Sequence, residues 1–295
     1  MAHGRGKTLG RARAFTIIEL VFVIAVIFLL MGLLIGGIKF ATRGAKGAID
    51  QATVASLKNG VTQFVQSFGS PPPLVRDGYA TAFPGGPLNT GLTAPRVYSL
   101  VDPTELAFLK NTPPAPPGTA DMRFSLYSLT YYIIGALDVD GVPGPGFRAV
   151  KRDGSFEKAG RTFEPFFDVS RNAKAVYETT PNTGKIELRD SRGVGFRYYR
   201  WVTGNTNGQV TNLNELNVPA MVGNPAANSE LKNADYAIVA AGPDGLFGDE
   251  WLLPAGHPQV LTRAEVEAKL GVPSTTSDAD MAAKAMADNI VGVGR

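Results

Sequence analysis

The stretch that decides the fold is Phe15-Thr16-Ile17-Ile18-Glu19-Leu20-Val21-Phe22-Val23-Ile24-Ala25-Val26-Ile27-Phe28-Leu29-Leu30-Met31-Gly32-Leu33-Leu34-Ile35-Gly36-Gly37-Ile38. Its one charge is Glu19. At about 1.5 Å per residue it reaches roughly 36 Å as a helix, enough to cross a hydrocarbon core of about 30 Å. A secretory signal carries a shorter apolar region ending at a small-x-small cleavage site, whereas this run is longer and does not stop cleanly. Arg5, Lys7, Arg11 and Arg13 precede it. Lys and Arg stay on the cytoplasmic side, so the N-terminus is expected inside and everything after about residue 40 outside.

Past Lys39 the apolar pattern changes without a helix breaker. Phe40, Ala41, Ala45, Ala48, Ile49, Ala52, Val54, Ala55, Leu57, Val61, Phe64, Val65 and Phe68 recur largely at spacings of three and four, among Arg43, Lys46, Asp50, Gln51, Lys58 and Gln63. That is an amphipathic continuation of the same helix. Gly69-Ser70-Pro71-Pro72-Pro73 ends it, because prolines cannot continue the hydrogen-bond ladder.

Composition narrows the class of protein. The 295-residue chain is 44% hydrophobic and 19% charged, which excludes a polar disordered chain. Gly 34 and Pro 21 together make close to a fifth of it, so long connecting loops are expected. Cysteine is absent, which removes disulfides, Cys-ligated metals and thiol nucleophiles. A loop-rich exported domain then needs another clamp, such as a metal held by oxygen ligands. The net charge of +3 resides in the leader: without its four cations, 25 Lys+Arg face 26 Asp+Glu. A nucleic-acid partner is therefore discarded.

The sequence Arg11-Ala12-Arg13-Ala14-Phe15-Thr16-Ile17-Ile18-Glu19-Leu20, a basic leader followed by Phe-Thr-x-x-Glu-Leu and an unbroken apolar run, resembles the type IV pilin and type II secretion pseudopilin family. The resemblance implies that a membrane-embedded prepilin peptidase cuts between Ala14 and Phe15 and methylates the new amine. The family usually has Gly before the cut, where this chain has Ala14. The resemblance also implies an assembly role for Thr16 and Glu19. Physics supplies a separate reason for Glu19, since a carboxylate inside an apolar span costs several kcal/mol unless partnered. Cleavage would create an amine four residues away, and the Glu19 of one subunit can pair with that amine on its neighbour. Gly32, Gly36 and Gly37 allow close helix approach and local melting.

The remaining chain is expected to be 69–120, a Pro/Gly-rich connector, and 121–295, an extracytoplasmic globular domain. Asp102-Pro103-Thr104-Glu105 starts a short capped helix, and Ser125 to Ile134 reads as helix or strand, with helix preferred. Strand signals fall at Lys174 to Tyr177, Lys185 to Arg189, Gly195 to Val202 and Tyr236 to Ala240. They predict a small antiparallel sheet covering Val54, Leu57, Val61, Phe64 and Phe68. Thr262-Arg263-Ala264-Glu265 opens a helix ending near Leu270-Gly271, and Asp278 to Ala287 forms another. The expected class is α+β in a pilin-like fold, with 1–14 as leader, 15–38 transmembrane and 39–68 amphipathic.

A strand running into Gly242-Pro243-Asp244-Gly245-Leu246-Phe247-Gly248-Asp249-Glu250 sets hard oxygen donors on a sharply folded loop, as calcium requires. It is similar to the calcium loop of major type II secretion pseudopilins. That resemblance implies Asp244 and Asp249 as carboxylate ligands, Glu250 or Asp288 as further ones, and the Leu246 carbonyl as a contributor. In the family an Asp-Asp/Asn-Ile sequence follows soon after, whereas Asp288-Asn289-Ile290 comes about 37 residues later, as though an insertion separates the halves. A plain surface turn is the alternative. Asp138-Val139-Asp140-Gly141 lacks later EF-hand ligands and reads as a turn.

No catalytic constellation stands out, with His3 in the leader and His257 alone. The expectation is a non-enzymatic subunit of a pilus or pseudopilus in the inner membrane. Its partners would be copies of itself and other pilin-like subunits, the peptidase, an inner-membrane assembly platform and lipid. A type IV or minor pilin for adhesion, motility or DNA uptake is the rival within the class. A bitopic membrane protein whose outer domain binds without polymerising is the rival outside it.

Overall fold

Helix α1 runs unbroken from Ile17 to Phe68, 52 residues, first apolar all round and then striped. It is the first element of a computed structural model that describes residues 17–75, 103–110, 120–135, 147–148, 160–168, 176–178, 186–204 and 207–295. The chain divides into two units, one ending at Ala45 and one spanning Lys46–Arg295. In the first, α1 presents its large apolar side chains outward, from Ile17 through Phe28 and Leu33 to Phe40. Its best 18-residue window has a mean hydropathy of 3.1 with none of it buried. A helix of this length and composition near the N-terminus can cross a membrane.

In the second unit α1 buries Val54, Leu57, Val61 and Phe64, the spacing of three and four that puts them on one stripe. The helix ends where the sequence predicts: Gly69 takes φ +78° and donates its N–H to the Val65 carbonyl, and Pro71 follows. Tyr198 then fastens the proline run by donating to the Pro72 carbonyl at 2.9 Å.

The other elements follow in order as α2 (Pro103–Leu109), β1 (Phe124–Ser125), β2 (Phe147–Arg148), β3 (Thr162–Phe163), β4 (Val176–Glu178), β5 (Ile186–Leu188), β6 (Arg197–Arg200), β7 (Tyr236–Ala240), α3 (Arg263–Leu270), α4 (Asp278–Met286) and β8 (Ile290–Gly294). The main sheet is antiparallel in the order β1-β6-β7-β8, and β2-β3 and β4-β5 are two-stranded ribbons. This is an α+β arrangement in which the amphipathic part of α1 and the sheet share one core. Gly292 on β8 shows how closely they meet, since a Cβ there would stand 2.6 Å from Val54 Cγ1. Gly60 plays the same part on α1, where a Cβ would come within 2.9 Å of Ile133 and 3.1 Å of the Phe166 carbonyl.

Several expectations change here. Ser125 to Ile134 is not an α-helix. Phe124 and Ser125 form β1, and a π-helical turn follows over Thr130–Ile134, closed by Gly135 at φ +67°. The Ser125 hydroxyl accepts the Tyr127 and Ser128 N–H groups, which turns the chain out of the strand. Strand β8 was not expected, because two glycines in five residues depress strand propensity. Helices α2, α3 and α4 form at the expected places, α3 with the Thr262/Glu265 capping box and Gly271 after its end. Asp102, most of the 69–120 connector, Lys174 and the Asp138–Gly141 turn lie outside the described residues.

An ionic contact ties α1 to the β5–β6 turn. Asp50, fully buried, accepts the Ser191 N–H at 2.8 Å and pairs with Arg192 Nη1 at 2.6 Å. Both partners sit in the β5–β6 turn, which Asp190 shapes by accepting the Arg192 and Val194 N–H groups.

Candidate functional site

Two surfaces carry the residues singled out by the sequence. The first is the apolar part of α1. Ala14, Phe15 and Thr16 lie outside the described residues, and Glu19 sits exposed in the first turn. A Cβ at Gly32, Gly36 or Gly37 would meet nothing within 4 Å, so the backbone at these points is open to close approach by another surface.

The second is the loop after β7. Gly242 to Gly245 closes as a turn, with the Gly245 N–H donating to the Gly242 carbonyl at 2.9 Å and Gly245 at φ +72°. Asp244 Oδ1 accepts the Leu246 N–H at 2.9 Å, the local bond that makes Asp a turn former. Glu250 folds back to accept the Phe247 and Gly248 N–H groups. Asn289 stitches the loop from the far side, accepting from the Gly242 N–H at 3.2 Å and donating to the Phe247 carbonyl at 3.0 Å.

Asp288 therefore belongs to this loop. Its carboxylate occupies the space where a Gly242 Cβ would stand. The intervening chain, α3 and α4, folds out on its own small core of Leu246, Val266, Leu270, Met281 and Ala285. This helical pair leaves the loop and returns to it.

Asp249 and Glu250 do not join that pair of carboxylates. Asp249, buried, pairs with Arg197 Nη1 at 2.6 Å. The guanidinium lies between the Phe124 and Phe247 rings, 4.4 and 4.0 Å from their centroids, and also reaches Gln259 at 2.7 Å and Tyr199 at 3.1 Å. Burial raises the Asp249 carboxyl, with Arg197 opposing it. Burial likewise disfavours the Arg197 cation, and Asp249 together with Tyr199 and Glu250 outweighs that, so its pKa is raised. This is a structural ion pair in the core, and Glu250 is occupied with backbone donors. Leu246 is buried in the small helical core.

Asp244 and Asp288 remain. Burial, and then the charges of Asp288 and Glu250, push the Asp244 carboxyl up to about 6. Among the described residues no group of three or more His, Cys, Asp or Glu side chains is placed to hold a metal ion. The Asp288 charge is one of the causes that raise the Asp244 carboxyl, a repulsion that a divalent cation relieves. His257 is buried against Phe124, accepts the Gln259 N–H at Nδ1, and is lowered to about 3 by burial and by Arg197. No local signal marks the Arg197 to Asp249 pair, whose members are 52 residues apart. Compared with known protein families, curated proteins and solved structures, the chain matches no family model, no curated protein and no solved structure.

Proposed function

We propose that this chain is a pilin-like structural subunit, most closely a type II secretion pseudopilin, with a pilin-like fold. It is cut between Ala14 and Phe15, methylated at the new amine and held in the cytoplasmic membrane with its domain outside. It then polymerises through the apolar part of α1. The observation that carries this reading is a helix whose 17–38 span is apolar apart from Glu19 and unburied, while its later part is spent on the domain's own core. A surface of that kind needs lipid before assembly and sister helices after it. Glu19 gives the packed helices an axial register by pairing with the neighbouring subunit's Phe15 amine.

Mass spectrometry of the membrane-extracted chain tests the processing step. An N-methylated Phe15 end is expected, and an intact Met1 end in cells with active peptidase would favour the non-polymerising membrane protein. Assembly is tested by Glu19→Leu, which should abolish filaments while leaving the domain's melting temperature unchanged.

Calcium is proposed at Asp244 and Asp288, the two carboxyls that share the loop, with loop carbonyls completing its coordination. Calcium should raise the melting temperature of the full chain, and Asp244→Ala should remove the shift. A wild-type chain that melts identically with calcium and with chelator would end this part of the reading.

A further inference from the structure

The β5–β6 turn touches two features far apart in the chain, the start of the buried stripe of α1 and the loop after β7. On the first side Asp50 accepts the Ser191 N–H at 2.8 Å and the Ser191 hydroxyl at 3.0 Å, and pairs with Arg192 Nη1 at 2.6 Å. On the second side Val194 closes against the loop, its Cγ2 3.6 Å from where a Gly245 Cβ would stand. Asp190 stiffens the turn between them. Its Oδ1 accepts the Arg192 and Val194 N–H groups, its own N–H donates to the Val194 carbonyl, and its carbonyl accepts the Gly193 N–H.

Charge is shared unevenly across this turn. Arg192 serves three acids: Asp50, its direct partner, Asp190 in its own turn, and Asp288, which follows α4. Burial raises the Asp190 and Asp288 carboxyls, and the Arg192 charge is among the causes opposing both shifts. A guanidinium is a fork suited to two parallel bonds with one carboxylate. Here one arm goes to Asp50, while Nη2, like Asp190 Oδ2, is buried without a hydrogen-bond partner. A cation with an unused arm and a second acid within electrostatic reach is drawn two ways, so its hold on Asp50 depends on the charge of Asp288.

We propose that Arg192 couples the loop after β7 to α1: neutralising Asp288, by calcium at Asp244 and Asp288 or by substitution, commits the guanidinium to Asp50 and tightens the start of the buried stripe against the domain. The calcium trigger rests on the metal reading of the loop, and the charge step stands without it. By linkage the effect runs both ways, since removing Asp50 hands Arg192 to Asp288 and opposes calcium. Occupancy of the loop then sets how firmly the domain holds its own helix.

Hydrogen exchange over residues 46–54 and 189–195 of the full chain in detergent, with calcium chloride or with chelator, tests this alongside calorimetric calcium titration. Calcium should slow exchange in both segments by about threefold, a modest coupling because Asp288 is exposed. Asp288→Asn in chelator should slow it by a similar factor with no metal present. Asp50→Asn should weaken calcium by about threefold, and Arg192→Gln should tighten it by removing a competing cation while abolishing the exchange response. Those opposite signs separate charge sharing from simple loosening, which would weaken calcium in both variants. Calcium bound by the wild type with exchange in 46–54 unchanged would overturn the coupling, and that measurement needs no variant to fold. Unchanged exchange in a well-folded Asp288→Asn chain would overturn it too, as would weaker calcium binding by Arg192→Gln. A wild type that binds no calcium, with Asp288→Asn still slowing exchange, ends the metal reading and supports the charge coupling.

Discussion

The two parts of α1 belong to one helix and answer to different surroundings. From Ile17 to Ala45 the large apolar side chains point outward, and glycines stand in open space. From Lys46 to Phe68 one stripe is buried to within a few per cent, and Gly60 is closed in by Ile133 and Phe166. The same residue types thus do different work: in the second part apolar side chains stabilise this domain, and in the first they contribute nothing to it. The difference teaches that a hydrophobic helix residue is a stability determinant only where its own fold covers it.

Paired substitutions can break that contrast. Phe64→Ala should cost the domain about 3–5 kcal/mol in chemical denaturation. Phe28→Ala, on the open part, should leave unfolding within about 0.5 kcal/mol of wild type. Comparable losses from both would refute the division. Asp50→Ala should cost about 3 kcal/mol, because it strands Arg192 and the β5–β6 turn that together hold α1 to the sheet. Hydrogen exchange in the 46–68 segment, rising before the rest of the domain, would locate that loss.

The glycines sharpen the contrast at smaller magnitude. Gly60→Val should cost about 1–3 kcal/mol by overpacking against Ile133 and Phe166. Gly36→Val should leave the domain's melting untouched while interfering with filament assembly. The remaining effect concerns pH. His257 is held near 3 in the fold against about 6.5 unfolded, so below about pH 6.5 the unfolded chain takes up the extra proton. Its contribution to stability is present above that pH and is lost as pH falls, by at most about 1.4 kcal/mol per unit. The stability difference between wild type and His257→Gln should slope accordingly between pH 6.5 and pH 4 and flatten above pH 7.

The legible parts of this chain were those with local signals. The apolar span, the stop at Gly69 and the prolines, and the Thr262/Glu265 box each depend on residues within a few positions of one another. The turn at Ser125 escaped because a hydroxyl redirects two backbone N–H groups in a run that otherwise reads as continuous. β8 escaped because Gly292 and Gly294 are chosen for what lies across from them, Val54 and Tyr236, and not for strand propensity.

The candidate loop divides along the same line. Its turn and acidic character were plain in the sequence, while the destination of each carboxylate was not. Asp249 goes to Arg197 on β6 and Asp288 returns to Gly242 across the α3 and α4 excursion. By itself, then, the sequence determined a membrane-competent helix that turns amphipathic, its end point and the capped helices, since backbone geometry and solvation act over a few residues. Only the tertiary structure decided which acids meet cations, which meet each other and which oxygen is left without a donor, because buried charges are assigned by partners distant in the chain.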